Sequence, residues 1–597
     1  MPTEETILST IQSPEDLRKL PKVKLMDVCK ALRERIIDVV SKNGGHLGAS
    51  LGVVELSVAL HYIYNTPEDV LVWDVGHQAY GHKILTGRNL AFEHIRKSAG
   101  PSGFPKRSES VYDAFGVGHA GTSISAVLGM ALSEQNNNSD RQHIAVIGDA
   151  SIASGMAFEA LNHAGSTQAN ITIILNDNAI GIDHSVGALK QLLFTLKSEP
   201  ESAYKNWFKD LSIDYIGPVD GHDLPALLTT LASVKTKRGP RLLHVVTTKG
   251  KGLRSAEKDQ ITYHAPGKFD KLTGSIFENN LHKGFTKFQD VFGQTIVELA
   301  EKNPKIYAVT PAMPTGSSLK QFIERFPERA FDVGIAEQHA VTLAAGIATQ
   351  GNAVFCTIYS TFLQRAYDQV VHDVVLQKLP VIFCVDRAGL VGRDGATHQG
   401  IYDVAFLKCL PEIIIAAPRN EIHLRNLLFT AQHYLKKPFF IRYPRGYGKL
   451  TSWKLPFKAM NIAEAEVLKP GDKIAVLSSG TIADEVQTAI RSLPEAFQKK
   501  IGHIDLVFIK PLDELLLNEV FSSYEELICV EENSLIGGVG ESILGFKNDH
   551  CFTNKVHVLG IPDIVIDHAS VAEQRKQCGI DAKSIAKLLL NRINALV

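Results

Sequence analysis

The feature that most constrains this chain is a repeated alternation: short apolar runs rich in β-branched residues, separated by longer segments with helical periodicity. Ile144–Ile147, Ile171–Leu175 and Leu242–Val246 read as buried strands in the first part of the chain. Ile306–Val309, Ala353–Cys356 and Val381–Val385 repeat the pattern, and Ile474–Leu477, Ile504–Val507 and Leu527–Val530 repeat it once more. Continuous apolar strands alternating with helices belong to parallel sheets covered on both faces. The expectation is an α/β fold of three consecutive α/β domains with mostly parallel sheets.

Polar sequence containing Gly and Pro interrupts the pattern twice. One break runs from His264-Ala-Pro-Gly-Lys-Phe-Asp270 to about Phe285, the other from Tyr443-Pro-Arg-Gly446 to about Pro470. The expected domains are residues 1–270, 286–455 and 466–597. With 45% hydrophobic residues the chain has the usage of a globular protein, and a net charge of -1 gives no electrostatic case for a nucleic-acid or anionic-membrane partner. The seven cysteines are widely spaced with no C-x-x-C pair, so neither a zinc cluster nor a disulfide framework is expected. The N-terminal residues are acidic without a signal-type apolar core, and no stretch approaches ~18 apolar residues. A cytoplasmic protein with reduced thiols is the expectation.

Two strand ends carry metal-ligand chemistry. Ile144–Ile147 runs into Gly148-Asp149-Ala150, and Ile171–Leu175 delivers Asn176-Asp177-Asn178. Open α/β sheets bind ligands at the carboxyl ends of their strands. One carboxylate (Asp149), one amide oxygen (Asn178), a backbone carbonyl near Ile180 and two diphosphate oxygens would complete an octahedral oxygen shell suited to Mg²⁺. Each segment alone is also an ordinary turn former; the pairing favours the metal. Asn43-Gly-Gly-His46-Leu-Gly48, Trp73-Asp-Val-Gly-His77-Gln78 and Gly118-His119-Ala120-Gly121-Thr-Ser123 read as loops. Glycine lets backbone N–H groups approach a phosphate, and His, Ser and Thr add donors. Three such loops point to an anionic ligand.

Phe331-Asp-Val-Gly-Ile-Ala-Glu337-Gln-His-Ala-Val-Thr-Leu-Ala-Ala-Gly346 reads as a strand entering a helix, with Glu337 at an apolar helix start. A carboxyl there would be desolvated and its pKa raised, so it could hold a proton and share it with a ring nitrogen. Helix N-terminal capping is the equal reading of the local sequence. A diphosphate clamp together with a buried acid suggests thiamine diphosphate.

Longer motifs resemble one family. Gly45-His-Leu-Gly48, Trp73–Tyr80, His82–Arg88, Gly155–Gly165, Gly217-Pro-Val-Asp-Gly-His222, Tyr359–Gln369, Asp386-Arg-Ala-Gly389, Thr397-His-Gln-Gly400 and Tyr443–Gly446 resemble, in order and over nearly the whole chain, the 1-deoxy-D-xylulose-5-phosphate synthase family of transketolase-like enzymes. The resemblance implies diphosphate-binding, pyrimidine-binding and C-terminal domains of transketolase type, and a homodimer. It implies a transferase that joins pyruvate to D-glyceraldehyde 3-phosphate with loss of CO₂. The product, 1-deoxy-D-xylulose 5-phosphate, opens the non-mevalonate isoprenoid (terpenoid) pathway and is a source for thiamine and pyridoxal.

The resemblance also implies residue roles. Asp149 and Asn178, with the Ile180 carbonyl, would hold Mg²⁺; His77, Gly118, His119, Ala120, Ala150, Ser151 and Asn178 would surround the diphosphate. Glu337 would protonate the aminopyrimidine on which Phe362 packs. His46, His264 and His398 would move protons at the reacting carbons. Asp394 would contact the acceptor hydroxyl, and Tyr359, Arg365, Arg387 and Arg445 its phosphate, since a guanidinium fork meets phosphate oxygens two at a time.

The chain departs from the family at four places. Ala150 replaces a usual Gly; Ala179-Ile-Gly-Ile-Asp183 replaces the usual sequence after Asn178; Leu253 stands where a Tyr near the cofactor is expected; and the connection from Val186–Leu189 to Asp214–Pro218 is much shorter than the family's mobile cover. Ketol transfer of transketolase type, or a catalytically impaired paralogue acting as a binding module, are the competing expectations.

Overall fold

The computed structural model describes residues 7–134, 140–181, 183, 186–198, 206–277 and 282–596. Ile182, part of the shortened connection (199–205) and part of the first expected break (278–281) lie outside the described residues. The chain forms two compact units, Met1–Asn279 with Gly334–Ala336, and Asn280–Val333 with Glu337–Val597.

Unit 1 is built on five strands: β1 (Val70–Trp73), β2 (His143–Gly148), β3 (Ile171–Asp177), β4 (Asp214–Asp220) and β5 (Arg241–Val246). They form one parallel sheet in the order β1-β2-β3-β5-β4. Alternate residues of β1 to β3 enter two different cores. Val72, Ala145, Ile147, Ile171 and Ile173 lie in one; Leu71, Trp73, Ile144, Val146 and Ile174 lie in the other. Burial on both faces is why these strands read as unbroken apolar runs. β4 is one of the two edge strands and mostly half-exposed, with a register shift between Ile216 and Val219 that accommodates Gly217-Pro218.

Unit 2 contains two sheets. β6 (Ile306–Thr310), β7 (Ala330–Asp332), β8 (Ala353–Tyr359), β9 (Ile382–Asp386), β10 (Ile414–Ala416) and β11 (Phe439–Arg442) belong to the first; β12 (Glu466–Lys469), β13 (Ile474–Ser478), β14 (Ile501–Asp505), β16 (Glu526–Ser534) and β17 (Lys555–Ile561) form the second. The orders are β15-β10-β11-β9-β8-β6-β7 and β12-β14-β13-β16-β17, where β15 is Phe508–Lys510. Among the pairings of these named strands only β10–β15 and β12–β14 are antiparallel. The three α/β sets and their mostly parallel sheets are as expected.

One expected strand needs correction. Ile504–Val507 is not continuous: β14 closes at Asp505, whose carboxylate accepts from the Val507 N–H at 3.2 Å, and Val507 turns the chain at φ 50°. The chain then crosses as β15 into the neighbouring sheet. That crossing, and a core in which Val385 and Phe440 are clustered with Leu477, Ile504 and Leu527, merge the second and third sets into one unit. No helix among the described residues is long and apolar enough to cross a membrane.

Candidate active site

In unit 1 the parallel register of β2 and β3 sets Gly148 beside Asn176, and the Asp149 N–H donates to the Asn176 carbonyl at 3.1 Å. Asp149, 8% exposed, and Asn178 thus follow adjacent strand ends. Asn176 and Asp177 fix the loop from behind. Asn176 donates to Gln78 at 2.9 Å and accepts from Thr247 at 2.5 Å. The Asp177 carboxylate accepts from His244 Nε2 at 3.0 Å, and His244 Nδ1 meets the Tyr215 hydroxyl at 2.7 Å. Asn178 Oδ1 accepts from the Ile180 N–H at 3.1 Å, closing the bend at Ala179, which takes φ 62°.

The segment 118–123 is held by Asp74, just past β1. Its buried carboxylate accepts from Gly121 N–H at 2.9 Å and Ser123 N–H at 3.1 Å, and it also bonds Ser151. Burial raises the Asp74 pKa against these donors. Gly121 is required here: it has φ 83°, and a Cβ would sit 2.1 Å from Ser154 Oγ. Gly118 and Ala120 are buried and His119 half-buried in this segment, while Ala150 and Ser151 form the turn after β2. Ala150 does not take a positive φ, so alanine is accommodated without backbone strain. Leu253 packs on the core of this unit.

Backbone bonds draw three further segments together: Leu47 N–H to the His264 carbonyl (3.1 Å), Gly48 N–H to Tyr263 (2.9 Å) and Gly250 N–H to Gly48 (2.8 Å). The rings of His77 and His264 come within 5.4 Å, and His46 lies 6.2 and 6.1 Å from them. Burial keeps both neutral, His77 pulled down to about 3 and His264 well below the usual range, with the charge of Lys249 adding to the effect. Lys249 is 1% exposed and donates to the Gly181 carbonyl; burial pulls its pKa down to about 8, against Asp149 and Asp183.

This set fits a metal-bound diphosphate on its own chemistry. The Nδ1 atoms of His77 and His264 are enclosed without a hydrogen-bond partner, and such buried polar atoms are costly unless a ligand meets them. A buried cation stands in the same cluster. Among the described residues no group of three or more His, Cys, Asp or Glu could hold a metal unaided. Asp149 and Asn178 offer a hard oxygen pair that ligand oxygens would complete. Lys249, Asp74 and Gln78 were not singled out by sequence reasoning. Asp74 and Gln78 lay within a quoted motif; Lys249 had only its place shortly after the third apolar run.

In unit 2 the functional side chains gather at the carboxyl ends of β8, β9 and β11. Tyr359 ends β8 and pairs in register with Asp386, which ends β9. Arg387 follows at φ 58°, pairs with the Asp386 carboxylate, and lays its guanidinium 4.2 Å over the Tyr359 ring. Burial pushes the Asp386 pKa up to about 6, opposed by Arg387 and Arg445. Tyr359 stacks on Phe362 at 5.5 Å, and Phe362 meets His398 edge-on at 5.6 Å. Arg445, exposed and shortly past β11, donates to Asp394 at 2.6 Å.

Glu337 is the first residue of the helix Glu337–Thr349 and only 3% exposed. Burial raises its pKa, partly offset by Arg365, whose Nη1 donates to the carboxylate at 3.2 Å. The structure thus places Arg365 on Glu337, while Tyr359, Arg387 and Arg445 cluster with Asp394 around one ring. Asp386 carries no role in the sequence reading, although its motif was quoted.

Hard oxygen groups at the strand ends of unit 1, with a buried helix-start acid and arginines at the strand ends of the first sheet of unit 2, define a chain of transketolase type. Residues 286–449 match the family model "Transketolase, pyrimidine binding domain" and 463–585 match "Transketolase, C-terminal domain". Residues 8–207 and 200–247 match the model for 1-deoxy-D-xylulose-5-phosphate synthase, in two pieces that meet at the shortened connection. The chain is 52% identical to the 1-deoxy-D-xylulose-5-phosphate synthase of Cytophaga hutchinsonii, with 98% of each chain covered. It is 48% identical to that of Parabacteroides distasonis, again with 98% of each covered. The protein belongs to the 1-deoxy-D-xylulose-5-phosphate synthase family.

Proposed function

We propose that this protein condenses pyruvate with D-glyceraldehyde 3-phosphate, releasing CO₂ and giving 1-deoxy-D-xylulose 5-phosphate, with thiamine diphosphate and Mg²⁺ as cofactors. The observation that carries the reading is Glu337: an acid 3% exposed at a helix start, with its pKa raised by burial. Thiamine diphosphate supplies the carbon nucleophile and the electron sink for decarboxylation when bound. The rest falls to side chains of this chain.

Asp149, Asn178 and the Ile180 carbonyl hold Mg²⁺ in this reading. Lys249 neutralises the diphosphate in this reading and, with His77 and the N–H groups of 118–120 and 150–151, orients it. Glu337 keeps a proton in a desolvated setting, and Arg365 limits how far its pKa rises. Phe362 offers an aromatic face to a flat ring. Arg387 and Arg445 receive the acceptor phosphate beside Tyr359, and Asp394 its hydroxyl. His398, His46 and His264 accept and return protons in this reading, imidazole being the side chain whose chemistry suits that task. The working form is a cytoplasmic homodimer, and the product enters isoprenoid, thiamine and pyridoxal synthesis.

The test is a coupled assay with purified protein, Mg²⁺, thiamine diphosphate, pyruvate and glyceraldehyde 3-phosphate, each omitted in turn. Product should need all four additions. Ketol transfer from a ketose phosphate without CO₂ would instead establish transketolase chemistry, and cofactor binding with no turnover on any donor would establish a binding module.

A further inference from the structure

The loop 389–400, which carries Asp394 and His398, is held by side chains from the C-terminal α/β set. Its ends close on themselves through Gly389 and Gly400, each N–H donating to the other's carbonyl at 2.6 and 2.8 Å. Three consecutive N–H groups then point to three side chains. Leu390 donates to Glu532 at 2.9 Å, Val391 to Gln399 at 2.8 Å, and Gly392 to Gln574 at 3.1 Å. Only Gln399 belongs to the loop. Glu532 lies in β16, and Gln574 in the helix Val571–Cys578.

The two distant anchors are themselves fixed. The Gln574 amide returns a bond to the Gly392 carbonyl at 3.1 Å and a second to the Asp567 carbonyl at 2.8 Å, and the residue is fully buried. The other carboxylate oxygen of Glu532 accepts from Arg575 Nε at 2.7 Å, one residue along from Gln574. The fit is close: Gly389 has φ 81°, and a Cβ there would lie 2.5 Å from the Glu532 carboxylate. A buried, fully bonded polar network of this kind fixes one backbone geometry, and its partial loss leaves costly unpaired groups.

We propose that Glu532 and Gln574 are positioning residues for the acceptor aldehyde: through them the C-terminal set holds the backbone that presents Asp394 and His398. This rests on the reading of Asp394 as the contact to the acceptor hydroxyl and of His398 as a proton-transfer group at the reacting carbons. Neither Glu532 nor Gln574 touches a group placed on the reacting atoms; both act through the loop backbone.

Gln574→Met keeps side-chain length and removes all three bonds. Glu532→Gln keeps an acceptor for Leu390 but turns its NH2 donor toward Arg575, whereas Glu532→Ala removes both acceptors. Asn554→Ala is the control: it removes two bonds to the Phe521 and Tyr524 carbonyls in the same C-terminal set. For Gln574→Met and Glu532→Ala, KM for glyceraldehyde 3-phosphate should rise about tenfold, because displacing a contact by about an ångström is enough to lose that much. Thiamine diphosphate affinity and KM for pyruvate should stay at the parent values, with the acceptor KM of Glu532→Gln between those of the parent and Glu532→Ala and the control unchanged throughout. Amide hydrogen exchange at Leu390 and Gly392 should accelerate in the loop variants, whatever the substrates. Parent acceptor KM in folded Gln574→Met or Glu532→Ala, or an equal rise in Asn554→Ala, would overturn the inference. So would unchanged exchange at Leu390 and Gly392. A parent that makes no product from pyruvate and glyceraldehyde 3-phosphate would overturn the proposed reaction instead, a result the exchange measurement does not produce.

Discussion

Ala150 and Gly181 fit against each other: a Cβ placed on Gly181 would lie 3.0 Å from the Cβ of Ala150. The resemblance expects other residues at both positions, and in space the side chain of one faces the missing side chain of the other. The methyl group added after Asp149 meets a residue with no side chain, next to the carbonyl that receives Lys249. Gly181→Ala should therefore overpack the loop that carries Asn178 and weaken binding of Mg²⁺ and thiamine diphosphate about tenfold. Ala150→Gly with Gly181→Ala should recover most of that loss. Cofactor titrations of the two single variants and the double variant form a cycle; strictly additive effects would show that the two residues do not compensate.

Glu337 is buried at its helix start with its charge state biased by burial, and no neighbouring carboxylate among the described contacts stands in for it. Glu337→Ala should fold, since truncating a helix-start residue leaves the strand–helix frame in place, and should still bind thiamine diphosphate. Turnover should fall by about 10³-fold or more, the scale of a lost proton-transfer group. Steady-state product formation, alongside cofactor titration, is the check; parent-like turnover would remove Glu337 from the mechanism.

Much of this architecture is legible in the sequence because buried parallel strands leave unbroken apolar runs. Ile144–Ile147 and Ile171–Leu175 lie inside β2 and β3, and all of Val381–Val385 but Val381 lies inside β9. β1 is hidden because Trp73 sits at its end and the motif that follows reads as a loop. β4 is hidden because a half-exposed edge strand broken by Gly217-Pro218 has neither an apolar run nor clean alternation. At the site, residues whose role follows from type and position in a motif were named. Lys249 and Asp386 act through burial, which a local pattern does not encode: one is 1% exposed and the other fully buried. The Glu532 and Gln574 contacts to 390–392 join segments more than a hundred residues apart, and no periodicity reports such pairs.

His503 gives a pH dependence with a definite sign. It is 1% exposed, bonds Ser478 at 2.8 Å, and burial, then the charge of Arg419, pulls its pKa down to about 4. The unfolded chain takes up the proton first, at about 6.5. His503 therefore contributes stability that is complete above about pH 6.5 and is lost as pH falls toward 4, by a few kcal/mol in all. His503→Gln should flatten the fall in stability over that interval, measured by urea unfolding between pH 7 and 4.5. A variant whose stability falls as steeply as the parent's would show that His503 titrates alike in both states.

The described end of the shortened connection is anchored rather than loose. In the helix Ala188–Ser198, Leu193 and Leu196 enter a core of unit 1, and Lys197 Nζ reaches both oxygens of Asp177 at 3.0 Å. Asp177 precedes Asn178 and also accepts from His244, so the helix and the loop that carries Asn178 share one carboxylate. Burial would raise the Asp177 pKa, but the bonds from His244 and Lys197 win and hold it below the usual carboxylate value. Lys197→Met keeps the apolar stem and removes the pairing. It should speed hydrogen exchange across 188–198 and weaken Mg²⁺-dependent binding of thiamine diphosphate several-fold, while global stability changes modestly because His244 still pairs with the buried Asp177 carboxylate. Faster exchange with parent cofactor affinity would mean that Asp177 is held by His244 alone. Parent exchange would mean that Leu193 and Leu196 suffice to hold the helix.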